Sequence, residues 1–109
     1  MENTSKHHRR LLMHFCDSIS EINRSIINPV VAPLTLEKLA PVMSMVARAR
    51  ADYLKALFEQ TVEAGNEVDI AQVDVSNLRR ARERYEELIA AANAMETMIE
   101  RGYLEVAGT

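Results

Sequence analysis

Seven residues in the last third of the chain, Leu78, Ala81, Tyr85, Leu88, Ala92, Met95 and Ile99, fall at alternating spacings of three and four. That spacing keeps their side chains on one seam of an α-helix for three heptads, and Gly102 follows as a stop signal. A helix written this way has to lie against another helix. The pattern therefore restricts the chain to helix-on-helix packing without naming a biological process.

Composition agrees with that class. A chain of 109 residues corresponds to a single helical domain, 1–109, small enough that a second copy helps to bury apolar surface. Hydrophobic residues make up 48%, which argues against disorder throughout. Three Gly, three Pro and no Trp suit long helices rather than a many-turned β fold. The single cysteine, Cys16, excludes an internal disulfide and a zinc site built on several thiolates. The apolar run after the basic start is broken by His14 and Asp17, so neither a signal-peptide core nor a membrane span is expected, and the expected location is the cytoplasm. The net charge of −3 is unevenly placed: residues 1–58 hold eight Lys/Arg and five Asp/Glu, whereas residues 59–109 hold five and eleven. Halves of opposite sign favour antiparallel packing, within or between chains.

Two breaks divide the chain into three helical segments. The first is expected over 5–27, with Asn3, Thr4 and Ser5 as cap candidates and Leu12, Phe15, Ile19, Ile22 and Ile26 as its seam. Asn28-Pro29 is expected to end it, because the residue before proline avoids the helical region. The second segment is expected over 35–64, behind Thr35 as N-cap. Pro41 either breaks a first turn or restarts the main helix, and Gly65-Asn66 stops it. Residues 67–75 are ambiguous, since Val68, Ile70, Val73 and Val75 are β-branched but have no partner strand. Asp69, Asp74 or Ser76 can cap the third helix, which starts between 70 and 76 and ends near 101, leaving an apolar tail over 102–109.

The second segment is the most unusual in its faces. Val42, Val46, Ala49, Tyr53, Ala56, Leu57 and Ala64 form one stripe, and Met43, Ala47, Ala51, Leu54, Phe58 and Val62 form another beside it. Together they cover an apolar arc of roughly 240°, about twice what a surface helix needs. A helix apolar that far round needs cover on several sides, and the expectation is that a second copy of the protein supplies part of it. Arg50 projects into this arc. Either its stem packs while its head reaches outward or meets an acid, or it acts as a specificity charge or ligand anchor, with Gln60 on the same arc.

Chemistry is sparse by comparison. His7 and His8 point apart, His14 lies about 10.5 Å along the axis from His7, and His14 with Asp17 supplies only two ligands, so no metal site is expected. No Gly-rich phosphate loop is present, and the carboxylate pairs Glu59/Glu63, Glu83/Glu87 and Glu96/Glu100 lie on wet faces. Cys16 reads as a small buried thiol. No enzyme activity, cofactor or small-molecule substrate is expected. Arg79, Arg80, Arg82 and Arg84 are interleaved with Glu83, Glu86 and Glu87 into a mixed face, with Arg79–Glu83 and Arg82–Glu86 as i,i+4 pairs.

The sequence thus predicts an all-α, up-down-up bundle of three long helices with coiled-coil-like seams, completed by dimerisation. Its expected role is a small helical protein–protein interaction module: an adaptor, a chaperone-like protein or a structural subunit. Its partner is its own copy or another helical protein. The assembly residues are expected to be Val46, Arg50, Tyr53, Leu54, Leu57 and Phe58, with Arg82 and Arg84 at flanking positions that select a partner by charge. The alternative is a dimeric nucleic-acid-binding regulator that uses Lys6, Arg9 and Arg10. Against it stand the negative net charge and the lack of interleaved aromatics.

Overall fold

The computed structural model describes residues 2–64 and 69–107, with the side chains of residues 4–62 and 69–107. The described chain is all-helical. Helix α1 spans Glu2–Val31, α2 spans Leu36–Ala64 and α3 spans Ser76–Glu100, with one 3-10 turn at Ile70–Gln72. Among the described residues there is no strand, only an isolated parallel bridge between Leu34 and Val106. No described helix is long and apolar enough to cross a membrane.

Two compact units make up the chain: one of Met1–Leu36 with Met95–Thr109, the other of Glu37–Ala94. In the second unit α2 lies against α3. Val46, Ala49 and Ala56 of α2 and Ala81 of α3 are buried, and Val42, Tyr53, Leu78, Tyr85, Leu88 and Ala92 are half-buried. Three of those four buried residues are alanines, so close backbone approach does the work that large side chains do in a thicker core. The covered side of α3 follows the seam read from spacing; on α2 the covered residues Val42, Val46, Ala49, Tyr53 and Ala56 belong to the first stripe, but Leu57 of that stripe is exposed.

The first unit is organised by the tail rather than by the α1 seam. Leu34 and Leu104 are its buried residues. The backbone N–H of Ala107 donates to the Leu34 carbonyl at 2.7 Å. Asn28 accepts from the Glu105 backbone N–H at 3.1 Å through Oδ1, and the Arg24 guanidinium pairs with the Glu105 carboxylate. These contacts occupy a polar side of α1. Of its described side chains only Asn23, Ile27 and Asn28 are even half-buried, while Leu12, Phe15, Ile19, Ile22 and Ile26 stand exposed.

Helix ends follow local chemistry, with three departures from expectation. α1 already runs from Glu2, so the cap candidates Asn3, Thr4 and Ser5 lie inside the helix. α1 does not stop at Asn28-Pro29 but runs to Val31 with Pro29 inside it. So near the C-terminus proline removes a single helical hydrogen bond, and Asn28, which the rule about pre-proline residues disfavours there, is tied to the tail. In α2, Pro41 neither breaks nor restarts the helix, which begins at Leu36 directly after Thr35 and continues through it. The expected stop at Gly65-Asn66 lies outside the described residues. Asp69 caps the 3-10 turn by accepting from Ala71 N–H. Asp74 caps α3, accepting from Ser76 N–H at 3.0 Å and from its hydroxyl at 2.6 Å. α3 closes in a Schellman motif: Gly102 N–H donates to Ile99 C=O and Tyr103 N–H to Met98 C=O, with Gly102 at φ +78°.

Candidate interaction surfaces

The predicted assembly residues divide into two groups. Val46 is only 5% exposed, Tyr53 is half-buried, and Arg50 and Tyr53 both meet Tyr85 of α3. The Arg50 guanidinium stacks over the Tyr85 ring at 5.4 Å, its Nε donates to the Tyr85 hydroxyl at 3.4 Å, and the Tyr53 and Tyr85 rings lie 6.0 Å apart. Arg50 is exposed, and an aromatic face, rather than an acid, receives its head. Gln60, nearly three turns further along the same helix, is half-buried, and its Oε1 is buried with no hydrogen-bond partner among the described residues.

Leu54, Leu57 and Phe58 form the other group, and all three are exposed. Leu54 and Phe58 belong to a longer stripe, whereas Leu57 is an exposed member of the inner one. Met43, Ala47, Ala51, Leu54, Phe58 and Val62 are exposed along the whole of it, with Leu54 at 56%, Phe58 at 59% and Val62 at 82%. The inner stripe of α2 is thus covered by α3 and the second stripe is not. Met43 and Val62 lie on this stripe, as their spacing indicates, and extend it beyond the expected assembly residues. Lys55 and Glu59 flank Phe58 and Val62 and pair with each other at 3.9 Å. The stripe is therefore apolar along its length and bordered by a mixed pair of charges.

On α3, Arg82 pairs with Glu86 at 3.7 Å and Arg79 with Glu83 at 3.9 Å. Arg84 shares a shallow cleft with Arg80, Glu83, Glu87 and Leu88. Both partner-selecting candidates therefore sit on exposed, mixed-charge surface, where each pair contributes only a few tenths of a kcal/mol. One carboxylate stands apart. The Ser76 hydroxyl, and secondarily its backbone N–H, hold the Asp74 carboxyl below its ordinary value of 3.8.

Lys6, Arg9 and Arg10 are exposed on the first turns of α1, with His7, His8 and His14 exposed beside them. Cys16 corrects an expectation: it is an exposed free thiol, because the face of α1 beside it is not the one that packs. Among the described residues no group of three His, Cys, Asp or Glu side chains is arranged to hold a metal ion. The pairing of Arg24 and Asn28 with Glu105 escaped the sequence reading altogether. It joins residues 77 positions apart (Asn28 and Glu105) and 81 positions apart (Arg24 and Glu105), and no local periodicity signals such a contact.

Comparison of the chain with protein-family models, with curated proteins and with solved structures finds no match.

Proposed function

We propose that the protein is a small helical interaction module of the cytoplasm, an up-down-up bundle that assembles through the outer stripe of α2. The observation that carries this reading is the uncovered row Met43–Ala47–Ala51–Leu54–Phe58–Val62 on a helix whose other apolar stripe is already covered by α3. Contiguous apolar rows of this length mark interaction surfaces on soluble proteins. Burying Leu54 and Phe58 contributes about 1.5–3 kcal/mol each, and the alanines between them and Met43 let another helix approach closely. A second copy of the chain is the occupant proposed: the Lys55–Glu59 border carries both signs, so two copies meeting on this stripe can place opposite charges together. As an adaptor, chaperone-like protein or structural subunit, it would act by shape and apolar burial rather than by catalysis.

Sedimentation equilibrium at micromolar concentration tests this. The wild-type chain should exceed the mass of one chain, and L54K/F58K should lower that mass while helical circular dichroism stays unchanged. A wild-type mass equal to one chain, or an L54K/F58K mass equal to wild type, overturns it.

The exposure of Lys6, Arg9 and Arg10 favours a second reading, in which an assembled dimer presents two basic arms to nucleic-acid phosphates. Affinity for a duplex would then fall steeply with salt, and R9A/R10A would flatten the slope. Absence of salt-dependent binding removes this reading and leaves the first intact.

A further inference from the structure

The seam of α1 has no use in the unit that contains it. Leu12, Ile19 and Ile26 occupy a positions of a heptad and Phe15 and Ile22 occupy d positions. All five are exposed, Phe15 at 63% and Ile26 at 65%. The tail, meanwhile, binds α1 through Arg24 and Asn28 at f and c positions, away from the seam.

What borders the seam says what covers it. Its g positions are Leu11, Ser18 and Ser25, and its e positions are Cys16 and Asn23, so no charge flanks it between residues 11 and 28. Every charged residue of that stretch, Asp17, Glu21 and Arg24, sits at c or f. The e and g positions are where helices that choose a different partner carry their selecting charges. A seam without them meets no like-charge clash when it faces its own copy in either direction. A lipid surface fits less well, because it calls for a basic polar face and this one carries Asp17 and Glu21. The area also suffices: the five seam residues with Leu11 offer on the order of 100 Å² each, so a pair of helices buries about 1,200 Å², the lower end of stable interfaces.

We propose that the α1 seam pairs with the α1 seam of a second copy. This is a contact separate from the α2 stripe, and it stands or falls independently of it. The chain thereby carries two self-complementary surfaces, which extend an assembly beyond a dimer, as a closed tetramer or as an open chain.

The test uses the full-length protein under reducing conditions, so that exposed Cys16 forms no cross-link. Two variants, I19E/I22E and I19K/I22K, place like charges at the centre of the seam for either direction of pairing. Each should sediment at half the wild-type mass or less with helical circular dichroism unchanged, and an equimolar mixture of the two should restore the wild-type mass. Variants that keep the wild-type mass overturn the proposal, and so does a mixture that fails to restore it. A wild-type protein of single-chain mass that co-sediments with anionic vesicles assigns the seam to lipid and also overturns it. L54K/F58K separates the two surfaces. If it leaves the mass unchanged while I19E/I22E lowers it, the α1 pairing stands and the α2 reading fails, and the reverse result refutes the α1 pairing alone.

Discussion

The guanidinium of Arg50 lies over the ring of Tyr85, 5.4 Å from its centroid, with Nε donating to the Tyr85 hydroxyl at 3.4 Å. One residue of α2 that breaks an apolar arc is thereby matched to the one phenol in the α3 seam, and the register of the two helices is tied to that match. Tyr53 completes the cluster from the α2 side.

A double-mutant cycle on Arg50→Met and Tyr85→Leu should therefore return a coupling of about 0.5–1 kcal/mol, the size of an exposed cation–π contact. Arg50→Met keeps an unbranched apolar stem and removes the charge. Urea denaturation read by circular dichroism measures each corner of the cycle. Additive effects would mean that the stacking contributes nothing to stability.

Ala81 is where α3 comes nearest to being fully enclosed, at 7% exposure. Ala81→Leu should destabilise the α2–α3 pairing by about 1–3 kcal/mol through overpacking, although leucine is a strong helix former. On a helix free of tertiary contact the same change would be nearly neutral. A lowered urea midpoint, set against an unchanged one for exposed Ala90→Leu, distinguishes the two cases.

Asp74 links stability to pH. Hydrogen bonds from Ser76 depress its folded-state carboxyl below the ordinary value of 3.8. A depressed folded value means that the unfolded chain takes up the proton first as pH falls. The contribution is thus fully present above the ordinary value and is lost as pH drops through the lower folded one. Wild-type protein should lose stability between pH 5 and the folded value by more than Asp74→Ala does, with the difference absent at lower pH. Equal acid sensitivity in the two proteins would contradict the cap.

Gly102 sits at φ +78°, and a methyl group built there would meet no described atom beyond its chain neighbours within 4 Å. Only backbone strain, and no steric clash at the added methyl, opposes Gly102→Ala, so the cost should be about 1–2 kcal/mol. Thermal melts followed at 222 nm give the comparison. Because the Schellman turn directs residues 103–107 back toward Leu34, weaker tail docking should accompany the loss.

Much of this fold follows from spacing alone. Leu78, Ala81, Tyr85 and Leu88 fall on the covered side of α3, Val46, Ala49 and Ala56 on the covered side of α2, Gly102 at the end where capping rules put it, and Asp74, one of three cap candidates, at the start of α3. Period, capping and turn conformation are set within a few residues, so the chain carries them openly. Pro29 and Pro41 show the limit of local rules: each stays inside a helix, since one missing hydrogen bond near an end is a small loss beside the contacts the surrounding helix retains.

Which apolar stripe meets which is another matter. The seam of α1 and the second stripe of α2 look, in periodicity, just like the stripes that pack, yet both stand uncovered. Periodicity states that a face seeks cover without naming the cover. That choice rests on pairings between distant residues, Arg50 with Tyr85 and Asn28 with Glu105, whose energies depend on how the helices are brought together. Helix positions, caps and apolar faces are therefore properties of the sequence, while the division of those faces into covered and open is a property of the tertiary structure.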